Sequence, residues 1–152
     1  MTDLLSVMVG GAIGIIAGVV GPYFIQRVKD KADKKQKRAE KFEELVGAVY
    51  EYDHWIDTVR GIRVAGLDGE ITMSPFAKIR AISDTYFPEF EKAVEELRAA
   101  GHTYGMWMLE VVQNRPQKEA LLARHETIVG PHVDKRDALL AELRSFAGHE
   151  FQ

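Results

Sequence analysis

The sequence predicts an all-α chain: a single N-terminal transmembrane helix continuing into a basic helical stalk, then an antiparallel bundle of about four helices. Three observations carry this. Residues 4–25 are 22 consecutive positions without Asp, Glu, Lys, Arg or His. Residues 27–41 then hold eight Lys or Arg against three acidic residues. From Phe42 onward apolar residues recur at helical spacing, and no segment alternates with the period of two that marks a strand.

A helix rises about 1.5 Å per residue, so the uncharged run reaches roughly 33 Å, enough to cross a hydrocarbon core of about 30 Å. A cleavable leader would carry a basic start, a shorter apolar core and a small-residue cleavage site. Here Met1-Thr2-Asp3 is acidic, and Gly21-Pro22-Tyr23-Phe24 follows the core. A buried helix of a soluble domain would usually be shorter and needs more chain around it than this sequence offers. Residues 1–26 are therefore expected to be a membrane anchor, and 27–41 a basic juxtamembrane helix.

Lys and Arg near a span stay on the cytoplasmic side, whereas acidic residues have little influence. Every basic residue that flanks the run lies after it, so the expected orientation is N-terminus outside, C-terminal domain cytoplasmic, in an inner (cytoplasmic) membrane. Tyr23 and Phe24 fall where the helix would meet head groups. Pro22 removes the hydrogen bond to Gly18 and predicts a mild kink. Arg27, Lys29, Lys31, Lys34, Lys35, Lys37 and Arg38 are placed to contact lipid head groups, each worth about 1 kcal/mol at an anionic surface. Nucleic acid is an unlikely partner for this segment, because no interleaved aromatic residue is there to stack bases.

Inside the run, Gly10, Gly14 and Gly18 repeat every fourth residue, with Gly21 near the same side. In lipid, close backbone approach along small residues is a leading source of helix association, so this face is expected to pack against a second copy or another membrane subunit. The competing reading is that glycine is simply common in membrane helices.

Residues 42–152 carry 12 Lys or Arg against 19 Asp or Glu, a net of −7, and are enough for one core but not two. The chain has no cysteine, which removes disulfides, thiolate catalysis and zinc–thiolate sites. Phe42, Leu45, Val49, Tyr52, Ile56 and Val59, spaced 3, 4, 3, 4, 3, form a heptad seam of fewer than three heptads, which favours one helix of a bundle over a coiled coil. Gly66-Leu67-Asp68-Gly69 reads as a turn, and Ser74-Pro75 as an N-cap followed by proline at the first helical position. Ile79, Ile82, Tyr86, Phe90, Val94 and Leu97 mark a second face, split or kinked at Pro88 and ended by Gly101. Met106, Leu109, Val112, Leu121, Leu122, Ile128 and Val129 continue the pattern around Pro116. Gly130-Pro131 then punctuates before a last helix with Val133, Leu139, Leu140, Leu143 and Phe146, closed by Gly148. The bundle is expected over 42–148.

Chemical motifs are few. Glu51 and His54 make one Glu-x-x-His, a spacing that di-iron bundles use twice, and no second copy exists; a solvated helix face explains it better. His102, His125, His132 and His149 lack zinc spacing, and Gly130-Pro131 is expected to keep His125 and His132 off a common face, leaving them as surface or capping residues. No phosphate-binding Gly-rich loop and no nucleophile elbow is present. Trp55, Trp107, Met106 and Met108 fit the bundle core, yet Tyr104, Met106, Trp107 and Met108 also form the best candidate surface for docking a protein.

Over about the first 40 residues, the layout of one Gly-rich span and a basic stalk resembles small bacterial inner-membrane proteins, and it implies an anchor but no site residue. The function expected is that of an interaction or scaffold protein, not an enzyme, with no cofactor and no metal. It would oligomerise through its span and bind a cytoplasmic protein partner. The alternatives are a pore-forming or holin-like effector, against which the span offers only Ser6 as a polar lining group, and a bundle metalloenzyme around Glu51 and His54.

Overall fold

The computed structural model describes residues 3–150, and within them the side chains of residues 27, 29–114 and 116–150. It is all-helical, with no strand among the described residues: α1 (Asp3–Arg63), α2 (Phe76–Tyr86), α3 (Glu91–Gln113), the short α4 (Lys118–Ala123) and α5 (His125–Glu150). Tight 3-10 turns occupy Pro88–Phe90 and Arg115–Gln117. The chain divides into two compact units, Met1–Glu40 and Lys41–Gln152.

In the first unit Arg27, Lys29, Lys31, Lys34, Lys35 and Lys37 are exposed and Arg38 is half-buried. Gln36 Nε2 donates to Glu40 Oε1 at 3.0 Å. Among the described residues no helix is long and apolar enough to cross a membrane. The uncharged run 4–25, with Gly10, Gly14, Gly18 and Gly21, lies outside the side chains described.

The second unit is a helical bundle whose core is the expected seam and what covers it. Phe42, Leu45, Val49, Tyr52, Ile56 and Val59 are all buried, because 3,4 spacing keeps them on one side of a 3.6-residue helix. Arg60 and Arg63 lie in the last turn of α1, where cations face the negative end of the helix dipole. The chain then turns through Gly66, whose φ of +73° is the left-handed region that favours glycine. Before α2, the Ser74 hydroxyl accepts from Phe76 N–H at 3.3 Å. Pro75 occupies the capping position itself, one residue before the helix instead of within it.

Pro88 splits the second apolar face as expected. A residue before proline avoids the helical region, and Phe87 sits at φ −142°, ψ 59°. The break turns Phe87 fully inward, with ring centroids 5.7 Å from Phe42, 6.2 Å from Phe90 and 5.9 Å from Phe146.

Three expected stops are not stops. Gly101 lies mid-way along α3 and is buried. A Cβ there would overlap the Tyr52 hydroxyl and stand 3.2 Å from its Cζ, so glycine is present for a close approach and not for a cap. Gly130 and Pro131 lie inside α5. Proline 131 removes one hydrogen bond near the helix start, while His125, Ile128 and Val129 before it and Leu139, Leu140 and Leu143 after it pack inward and hold both halves in line. Gly148 is helical, within the last turn of α5.

Carrying α3 through Gly101 also resets the pattern beyond it. Val94, Leu97 and Gly101 fix the phase, and Tyr104, Trp107, Met108 and Val111 follow as the buried residues. Met106 (53 % exposed) and Val112 (40 %) fall on the outside. Similarly His132, not Val133, is the buried member of α5 at that level.

Gly101→Ala is expected to destabilise the bundle by about 1–3 kcal/mol through overpacking, despite alanine's better helix propensity of about 1 kcal/mol. Tyr52→Phe in the same chain should restore part of that loss, because it removes the overlapping oxygen. Urea unfolding of the single and double variants measures this coupling, and strictly additive effects would contradict the contact.

Candidate functional site

The centre of the bundle is an aromatic and histidine cluster contributed by three helices. Tyr52 comes from α1, Tyr104 and Trp107 from α3, and His125 and His132 from α5. The seven-residue separation of the histidines is two helical turns, so uninterrupted α5 places both on one face, contrary to the expectation drawn from Gly130-Pro131. The two imidazoles flank Tyr104, at centroid distances of 6.1 Å for His125 and 5.8 Å for His132. Tyr52 closes the other side of His132 at 5.9 Å. Tyr104 Oη and His125 Nε2 are 3.4 Å apart. Trp107 Nε1 donates to the Leu121 carbonyl at 3.0 Å, tying α4 to the core.

His132 is 2 % exposed, and among the described residues neither Nδ1 nor Nε2 has a hydrogen-bond partner. Burial pushes its pKa below the usual histidine value. Asp53 and Asp57 on α1 pull it back up, and Arg136, one turn on along α5, pushes it down. Burial raises Tyr52 to about 12. Tyr104 is raised as well, first by burial, with Arg60 lowering it and Asp57 raising it. At neutral pH the phenols are therefore protonated and His132 is uncharged. All three side chains are buried, so the cluster packs the centre of the bundle around a titratable member.

Around the cluster, Arg136 Nη1 reaches Asp53 Oδ1 at 2.7 Å and Lys135 Nζ reaches Glu96 Oε2 at 2.8 Å, linking α5 to α1 and to α3. Sequence reading did not find these pairs, since their members lie 83 and 39 positions apart. It missed His132 because proline was read as a helix end; the available signal was the continuation of its phase into Leu139 and Leu143.

The candidate docking residues separate. Tyr104, Trp107 and Met108 are 1 %, 3 % and 1 % exposed and belong to the core, and of the four only Met106 is exposed. Met106 lines a hollow with Leu109, Glu110, Arg124 and Ile128. Glu51 and His54 are exposed; Glu51 lies 3.5 Å from Lys78 Nζ. Among the described residues no group of three or more His, Cys, Asp or Glu could hold a metal ion.

No protein-family model, no curated protein and no solved structure matches the chain.

The depressed pKa of His132 fixes a sign. The unfolded chain takes up its proton near pH 6.5 while the folded chain resists until the lowered value, so stability is full above about pH 6.5 and falls as pH drops through that window. The slope should approach about 1.4 kcal/mol per pH unit for one proton. His132→Leu is expected to flatten the dependence between pH 7 and 5 in urea unfolding, and an unchanged profile would remove His132 as its source.

Proposed function

We propose that the chain is a single-pass membrane-anchored interaction protein. In this reading residues 1–26 span the inner membrane with the N-terminus outside, 27–41 contact head groups, and the bundle binds a protein partner in the cytoplasm. The observation that carries it is the 22-residue uncharged run followed by eight basic residues within positions 27–41.

Helical periodicity adds a second support. At about 100° per residue, Arg27, Lys31, Lys34, Lys35, Lys37, Arg38 and Lys41 fall within an arc of about 160°, with Lys29 the exception. Gly10, Gly14, Gly18 and Gly21 fall on the opposite side of the same helical register, and Ala32 and Ala39 extend that side. Two copies meeting through the small-residue side would turn seven of their eight cations, all but Lys29, outward, away from each other and toward lipid phosphates. The partner-binding role of the bundle rests on its interior being filled and on Met106 at the surface hollow.

The chain has no cysteine, so single introduced cysteines report this directly. Ala32→Cys is expected to form disulfide-linked dimers in membranes under mild oxidation, and Lys34→Cys, on the opposite side, is not. Adding Gly14→Ile should abolish the Ala32→Cys dimer while leaving the chain in the membrane fraction. Equal crosslinking at both positions, or recovery of the chain in the soluble fraction, contradicts the proposal.

A further inference from the structure

The bundle carries a second feature, independent of the anchor: an apolar cavity of about 530 Å³ where the end of α1 meets α3, α4 and α5. Val64, Ala65, Leu67, Trp107 and Leu122 form its walls. Leu67 and Leu122 are 63 % and 37 % exposed, an apolar lining held open to water. Because four segments build it, the hollow is a property of the fold and not of one rotamer. Its volume lies in the range of about 300–1,000 Å³ typical of small-molecule sites, and such sites combine apolar walls with a few converging polar groups.

Three polar groups converge here: Arg60, Asp57 and the His125 imidazole. The Asp57 carboxylate takes only Nη2 of Arg60, at 3.1 Å, and Nε has no partner among the described residues. One edge of the guanidinium is thus neutralised while the charge is shared over the whole group. Arg63 and Lys118 line the adjoining hollow with Val64 and Ala65. Arg63 and Lys118 have no ion-pair partner among the described residues. In a bundle of net −7, two cations without partners adjoin this cavity, while Arg124 and Glu110 line a separate hollow that also touches Trp107.

We infer that this cavity is a binding site for a small amphiphile: an apolar, ring-sized body that packs on Trp107 and Leu67 and carries one carboxylate directed to Arg60. The apolar walls supply the burial, and the charge-assisted hydrogen bond to the guanidinium selects an anion over a neutral molecule of the same shape. His125 joins the site to the core cluster through Tyr104. The ligand therefore contacts the residue that helps hold α5 against α3.

The test is calorimetric titration of the full chain, kept in a mild non-ionic detergent, with 4-phenylbutyrate, using the detergent alone as the blank and 4-phenylbutan-1-ol as the neutral analogue. Saturable binding of the carboxylate is expected, with the alcohol weaker by at least about tenfold. Arg60→Gln should remove that preference. Gly61 also lines the cavity, and its missing Cβ would lie 3.1 Å from Leu67 Cδ1, so Gly61→Phe should fill the space and abolish binding. Leu122→Asp changes an exposed residue and should weaken the carboxylate by at least about tenfold even if Gly61→Phe fails to fold. No saturable heat, equal affinity for the alcohol, or undiminished binding to Leu122→Asp would each overturn the inference.

Discussion

The hydroxyl end of Tyr52 occupies the space that a side chain at position 101 would fill, and the separation of α1 from α3 depends on that exchange. With the helices this close, His132 has room only between two phenol rings, at 5.9 Å from Tyr52 and 5.8 Å from Tyr104. Tyr104 in turn stacks on Trp107 at 5.7 Å, and the Trp107 indole N–H fixes α4 by its carbonyl at Leu121. A larger residue at 101 would push these groups outward one after another. Aromatic contacts of this kind add about 0.5–1.5 kcal/mol each beyond their buried area, so the centre of the bundle is held by shape more than by polar bonds.

A second aromatic group, Phe42, Phe87, Phe90 and Phe146, does the equivalent work elsewhere in the bundle, with centroids between 5.3 and 6.2 Å for its Phe90–Phe146 and Phe87–Phe90 pairs. It exists because Pro88 interrupts the helical course and turns Phe87 inward. The ion pairs that cross between helices are peripheral by comparison. Lys135 and Glu96 are 44 % and 39 % exposed, and pairs of that kind contribute about 0–1 kcal/mol. Arg136 and Asp53 are less exposed, and they stand beside His132, where their charges bear on its titration as much as on the packing.

Which features were legible in the sequence follows from what each residue type can signal by itself. The seam from 42 to 59 was legible because its period is strict and every member is apolar. The turn at Gly66 and the break at Pro88 were legible because their causes are local: a positive φ and a steric clash with the preceding residue. Gly101, Gly130-Pro131 and Gly148 were misread because the same residues that end helices are tolerated inside them when neighbouring segments need the space or hold the helix straight. Those neighbours are distant in sequence: Tyr52 is 49 positions from Gly101. Misplacing the end of α3 then moved its apolar phase onto Met106, Leu109 and Val112. Tyr104 and Trp107 consequently looked available to a partner when they are interior.

With the aromatic residues accounted for by the core, function on the proposed reading shifts to surfaces defined by charge. The sign of residues 27–41 is opposite to that of the bundle, +5 against −7. Near an anionic bilayer the first is attracted at about 1 kcal/mol per basic residue, while the second is repelled only within a Debye length of about 8 Å. Topology alone requires a number of positive charges and is indifferent to where they lie around the helix. On the proposed reading, the concentration of seven of the eight on one side, opposite Gly14, Gly18, Ala32 and Ala39 and with Lys29 the exception, is more than an anchor needs. Paired copies do need it, since cations facing each other across a closely packed helix interface would repel within a few ångströms. The angular distribution of the basic residues thus adds to the glycine spacing as support for the proposed association of the chain with itself.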